Sequence, residues 1–156
     1  MSMQRNSSSG AADDGDDMTV TPRATKSAHQ GGCHCGALRF EVDLDLSAGT
    51  SKCDCSYCAK SRFWLAQAEP EDFRVSGEAT DYRGRNPVAH HFFCPTCGIH
   101  VYDRVEAPNM LGRPYVNVSV TCLDNVDVDE LIASPVRYGD GLNNALGSTP
   151  KETRHL

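Results

Sequence analysis

Apolar and polar residues alternate with a period of two over several short runs, separated by turn-forming residues: Ala37–Val42, Phe63–Ala68, Asp72–Ser76, Thr80–Arg83, Ala89–Phe93, His100–Asp103 and Tyr115–Val120. Each run is the length of a strand, and alternation places one face of a strand on a core and the other toward water. The pattern predicts a mainly β domain. Helical periodicity is scarce: Leu123–Ala133 offers one or two turns around Val128–Ala133, which Ser134-Pro135 would end because the residue before a proline is pushed out of the helical region.

Before the first run, residues 1–30 are rich in Ser, Gly and Asp and almost free of large apolar groups, so they are read as a disordered tail. The folded domain is expected over residues 31–148, with a short C-terminal tail at 149–156. A chain of 156 residues suits a single domain of this kind. Its hydrophobic content of 39%, with 7% aromatic residues, leaves a thin margin for apolar burial alone, and small domains in that position often use metals or disulfides as staples.

Net charge of -6, with no stripe of Lys or Arg, argues against a nucleic-acid partner. No stretch approaches the roughly 20 apolar residues of a membrane helix. The first thirty residues also lack the apolar segment of a secretory signal. The expected location is cytoplasmic, where reducing conditions make closely spaced cysteines metal ligands or redox groups more often than disulfides.

There are eight cysteines, and their spacing carries the chemistry. Cys33-His34-Cys35 and Cys94-Pro95-Thr96-Cys97-Gly98 are two close pairs, the second a zinc-knuckle type of turn in which the glycine lets the chain fold back. Joined, they would make a closed, structural Cys₄ site. Cys53, Cys55 and Cys58 supply three thiolates within six residues, one fewer than a closed site needs. An open position taken by water or substrate distinguishes catalytic from structural zinc, and such a soft site suits an incoming thiol.

Two other readings of these residues stand beside that one. A histidine such as His91 or His100 would close the second site and make both structural, or Cys55 and Cys58 would form a redox pair. Cys122, in Val120-Thr121-Cys122-Leu123, reads as a small buried residue.

Three motifs in this order, Gly32-Cys33-His34-Cys35-Gly36, Cys53-x-Cys55-x-x-Cys58 and Phe93-Cys94-Pro95-Thr96-Cys97-Gly98, make the chain from about Gly31 to Ala145 resemble the glutathione-dependent formaldehyde-activating enzyme family, which includes centromere protein V-like domains. The resemblance implies a β-tent fold, small antiparallel sheets pinned by zinc. It implies two zinc ions: a structural one on Cys33, Cys35, Cys94 and Cys97, and a catalytic one on Cys53, Cys55 and Cys58. The implied activity is that of a carbon–sulfur lyase similar to S-(hydroxymethyl)glutathione synthase, acting on adducts of a glutathione-like thiol with a small carbonyl compound such as formaldehyde.

Within that reading Lys60, Arg62 and Trp64 are substrate-binding candidates just past the open motif, and Arg83 and Arg85 are further basic candidates. Water, His91 and Tyr57 are the available proton donors. The chain departs from the resemblance at Gly141-Leu142-Asn143-Asn144, where relatives commonly carry an aromatic residue, and after Cys58, where many carry a glycine. A non-catalytic zinc-dependent binding or scaffold module is the alternative function.

Overall fold

Phe40, Val42 and Leu44 point into the core from one strand while Glu41 between them faces water, so the period-two pattern is realised as expected. The computed structural model describes residues 25–156, and within them the chain is mainly β. In chain order the elements are β1 (Ser27–Gly32), β2 (Arg39–Leu44), β3 (Thr50–Cys53), α1 (Ser56–Ser61), β4 (Trp64–Ala68), β5 (Phe73–Ser76), β6 (Thr80–Arg83), β7 (Ala89–Phe93), β8 (His100–Val105), β9 (Tyr115–Ser119), α2 (Val128–Ala133) and β10 (Val136–Gly139).

Two sheets share these strands. The first is antiparallel, in the order β1-β2-β5. The second runs β10-β3-β4-β9-β8-β7-β6 and is antiparallel except at its β10 edge, which pairs parallel to β3 from Val136 opposite Thr50 to Gly139 opposite Cys53. The expectation of small antiparallel sheets therefore needs correction: the second sheet has seven strands and is mixed. Val136–Gly139 is too short to show a period.

Side chains of both sheets meet in one cluster, in which Phe73 of the first lies 4.8 Å from the ring of Tyr102 on the second. Leu38, Val101 and Val118 are fully buried there. Removing such a side chain from water is worth about 1.5–3 kcal/mol.

Two boundaries move. Strand β1 begins at Ser27, ahead of the expected start of the domain at Gly31, and pairs with β2 from Ser27 opposite Leu44 to Gly32 opposite Arg39. Its side chains are mostly exposed, so main-chain hydrogen bonds order it and no apolar signal marks it. The rest of the expected N-terminal tail, residues 1–24, lies outside the described residues. At the other end, the expected tail 149–156 folds back on the domain: Pro150 is buried, and Lys52 Nζ donates to the main-chain oxygen of Leu156 at 2.9 Å. No helix among the described residues is long and apolar enough to cross a membrane.

Candidate metal centres

Four cysteines meet where the two sheets abut. Cys33 and Cys35 lie in the turn joining β1 to β2, closed by the Cys33 N–H on the Leu38 carbonyl at 2.9 Å. Cys94 and Cys97 lie in the turn joining β7 to β8, closed by the Gly98 N–H on the Cys94 carbonyl at 2.9 Å. Gly98 adopts φ +74°, a left-handed conformation that side chains resist. The four Sγ atoms lie within 4.8 Å of one another, with Cys33 to Cys35 at 3.5 Å and Cys35 to Cys94 at 3.6 Å. Zn–S bonds of about 2.3 Å at tetrahedral angles put sulfurs about 3.8 Å apart, so the set fits zinc.

Electrostatics also call for a cation. Burial opposes ionisation of Cys33, yet the Leu38 N–H, which reaches its Sγ at 3.3 Å, and the neighbouring thiols Cys94, Cys35 and Cys97 outweigh it and lower its pKa to about 6. Cys35 gains less from the Ala37 N–H than it loses to Cys33 and burial, and rises to about 12. Thiols this crowded cannot all ionise together unless a positive ion joins them.

The second cluster is built on one short stretch. Cys53 ends β3, Cys55 caps α1 and Cys58 sits in its first turn, so strand, cap and helix bring three sulfurs within 4.8 Å. The Cys55 N–H donates to Cys53 Sγ at 3.3 Å and the Cys58 N–H to Cys55 Sγ at 3.4 Å. Cys53 and Cys58 hold Cys55 down to about 2, while Cys58 is pushed far up by Cys53 and Cys55. Cys53 is raised too, chiefly by Cys55. One negative charge is thus shared among three thiols, again a donor set that fits zinc.

The loop after β10 backs this cluster. The Asp54 N–H reaches the Gly139 carbonyl at 3.3 Å, and the Leu142 N–H reaches Asp54 Oδ1 at 2.9 Å. Gly141 passes so close that a Cβ there would lie 2.5 Å from Cys53 Sγ and 2.8 Å from Cys55 Cβ. This contact was not legible in the sequence, where Gly141 stands eighty-odd residues from the cysteines.

A cavity of about 160 Å³ opens beside the three-cysteine cluster, lined by Lys52, Cys53, Cys58, Arg62, Phe63 and Leu156 among others. Of the expected substrate contacts, Arg62 lies on this wall. Lys60 is exposed on α1 and does not line the cavity. Trp64 does not line it either; it packs against the core, and its indole N–H donates to Thr50 Oγ1 at 2.8 Å. Arg83 pairs with Asp81 at 3.2 Å, and neither it nor Arg85 reaches the cavity.

Lys52 was missed, because Thr50–Cys53 does not read as a strand. Its position immediately before Cys53 was the available signal. Arg62 occupies the left-handed region, φ 54° and ψ 40°, at the end of α1. Glycine would be free of strain in this conformation; a side chain there costs roughly 1 kcal/mol.

The histidines proposed as a closing ligand sit in a third group. His91 Nδ1 and His100 Nε2 both meet Asp103 Oδ1, at 2.8 and 2.7 Å; His91 and Asp103 are buried and His100 is partly so. These hydrogen bonds satisfy one nitrogen of each ring, while His100 Nδ1 is buried without a partner among the described residues, and the donor atoms of the group are close enough to share an ion. It supports the helix of the open cluster: Tyr57 stacks on His91 and meets His100 edge-on at 5.2 Å. Burial, then the charge of Asp103, pushes the Tyr57 phenol up. Cys122 is buried, with Sγ 3.7 Å from the His100 carbonyl, and has the packing role expected of it.

A crystal structure of a protein from Rhodobacter sphaeroides superposes with a TM-score of 0.58 at 32% identity, over 69% of this chain and 99% of that one. Residues 28–136 match the model of a family described as glutathione-dependent formaldehyde-activating enzyme. With that match spanning more than half of its length, and both cysteine clusters in place, the chain belongs to the glutathione-dependent formaldehyde-activating enzyme family.

Proposed function

We propose that the protein is a zinc-dependent carbon–sulfur lyase that makes and breaks the bond between the sulfur of glutathione, or a similar small thiol, and the carbon of formaldehyde. The observation carrying this reading is the contrast between the clusters. Four sulfurs in one give a complete tetrahedral set that ties the two sheets, as a β-tent pinned by zinc requires. Three in the other leave a coordination position beside a cavity. Cys33, Cys35, Cys94 and Cys97 would hold the structural ion, and Cys53, Cys55 and Cys58 the catalytic one.

When bound, zinc supplies positive charge that favours the thiolate form of a nearby sulfur and polarises an adjacent oxygen. The chain's own contribution is placement. Cys53 and Cys58 border the cavity, Phe63 gives it an apolar side, and Lys52 and Arg62 give it a cationic one. In the forward direction the thiol S–H bond is lost, a C–S bond forms to the aldehyde carbon, and a proton ends on the former carbonyl oxygen. The cavity borders solvent, so water is the proton carrier in this reading. The His91 Nδ1 is committed to Asp103, and burial pushes the Tyr57 phenol up, which makes it a poorer acid.

The partners are then small molecules in the cytoplasm, with no membrane or nucleic acid involved. Magnetisation-exchange NMR on zinc-loaded protein, glutathione and formaldehyde tests the reading: accelerated exchange between the free thiol and its hydroxymethyl adduct supports it. No acceleration with glutathione or any other small thiol would leave the scaffold role.

A further inference from the structure

The cationic side of the cavity is already engaged. Lys52 Nζ donates to the main-chain oxygen of Leu156 at 2.9 Å, and the Arg62 guanidinium donates to the His155 carbonyl. Leu156 itself lines the cavity with Cys53 and Cys58. Among the described residues, then, these two cations are held by main-chain oxygens of one short segment, Thr153–Leu156, and not by an acidic side chain.

We propose that Lys52 and Arg62 are the specificity-determining pair for the carboxylates of an anionic thiol, and that Thr153–Leu156 occupies their site until such a thiol displaces it. This rests on the reading of the open cluster as the reaction site. It is carried by four observations.

The first is size. A cavity of about 160 Å³ is smaller than the roughly 300 Å³ at which ligand pockets begin, so a tripeptide thiol does not fit while the segment is in place. The second is charge. The chain carries a net -6, which repels an anionic substrate at long range, and a pair of cations beside the cysteines supplies the local exception. The present partner of Arg62, the His155 carbonyl, is neutral, and a carboxylate forms a stronger, charge-assisted hydrogen bond to a guanidinium, so that exchange is favourable.

The third is Arg62 itself, which keeps a long side chain in a left-handed backbone conformation suited to glycine, as happens where a side chain has a use that outweighs the strain. The fourth is the weakness of the hold. The contacts to Lys52 and Arg62 use main-chain oxygens on a segment in which Thr153 is the sole half-buried residue besides Leu156, the sort of segment that opens at little cost.

Displacement explains selectivity among thiols. Apparent affinity equals intrinsic affinity scaled by the fraction of molecules with the site open. Glutathione must open the site and recovers that cost through Lys52 and Arg62, whereas a thiol as small as 2-mercaptoethanol fits the cavity with the segment in place and so gains little from its removal.

The protein carries its own reporter, since Lys52 Nζ lies 5.5 Å over the ring of Trp64, the single tryptophan. Zinc-loaded full chain is titrated with glutathione and with 2-mercaptoethanol while Trp64 emission and the amide resonances of Arg154, His155 and Leu156 are followed. The same titrations are run on a variant lacking residues 153–156, on Lys52→Ala, and on Arg62→Gly. Glutathione is expected to move the three amides toward free-peptide positions and to change Trp64 emission.

Removing the segment should tighten glutathione by about tenfold and 2-mercaptoethanol by much less, and Lys52→Ala should weaken glutathione by about tenfold. Glutathione binding with the segment amides unmoved would overturn the proposal, as would equal affinity with and without the segment. Either result leaves thiol–aldehyde exchange intact, whereas loss of the proposed activity would appear as absent exchange even with the segment displaced. The amide shifts need no variant, so the test survives a truncation that fails to fold.

Discussion

The phenol ring of Tyr57 lies flat on the imidazole of His91, with centroids 3.6 Å apart and planes 15° from parallel. Helix α1 carries Cys58 next to Tyr57, and His91 belongs to β7, so this stack fixes the three-cysteine cluster to the second sheet. Asp103 on β8 in turn holds His91 and, through the same oxygen, His100. A buried carboxylate thus sets the platform on which the open cluster rests.

Asp103→Ala would leave two buried imidazole N–H groups without their acceptor, each worth about 1–3 kcal/mol when orphaned. The variant is expected to lose roughly 3 kcal/mol of stability in urea unfolding. It should also release the metal of the second cluster at lower chelator concentration than that of the first. Equal release from both centres would show that the platform has no particular link to α1.

Much of this arrangement was legible in the sequence, and the part that was not has physical reasons. Thr80–Arg83, Ala89–Phe93 and Val128–Ala133 appear within the expected bounds, because turn-forming residues end each of them: Gly84, Cys94-Pro95 and Ser134-Pro135. Strands β1 and β10 are ordered by main-chain pairing at sheet edges, which leaves little trace in side-chain pattern. Helix α1 is six residues long and starts on a cysteine thiol in place of an ordinary cap, so no helical signature marks it. The two groups of cysteines follow their spacing, but the contacts that shape the open cluster, Gly141, Lys52 and the 153–156 segment, come from distant or unpatterned positions.

Gly141→Ala places a methyl carbon at a point 2.5 Å from Cys53 Sγ, closer than carbon and sulfur can approach, so Cys53 or the loop must move. The expected outcome is a folded protein that keeps the metal of the four-cysteine centre and loses both the second ion and activity. Metal analysis alongside far-ultraviolet circular dichroism checks it; a variant that keeps both ions and full activity would show that the loop yields freely.

Arg62→Gly relieves the left-handed strain, against which glycine's greater freedom when unfolded must be set, so stability should be unchanged or up to about 1 kcal/mol higher. Its affinity for glutathione should nonetheless fall. Urea unfolding and thiol titration on one preparation give both values. A variant that loses stability would contradict the strain at this position.

Zinc binding should release protons, because Cys35 is held up to about 12 and Cys58 is raised as well, so both are thiols at neutral pH and must ionise to bind metal. Cys33 at about 6 and Cys55 at about 2 are largely ionised before the metal arrives, so the number released at pH 7.5 should be smaller than the number of ligands. The sign follows: protons compete with zinc, affinity rises with pH and falls as the solution is acidified. Calorimetric titration in two buffers of different ionisation enthalpy gives the count, and an affinity constant between pH 6 and 8 would contradict it.

The central claim is that seven cysteines form two centres with separate duties, one holding the fold and one open to the substrate. Zinc per chain in wild type and in Cys55→Ser, measured on protein shown to be folded and assayed for thiol–formaldehyde exchange, tests it most directly. Two ions falling to one, with the domain intact and exchange abolished, is the predicted result. Retention of both ions with undiminished exchange, or loss of the whole fold with the second ion, would contradict the division.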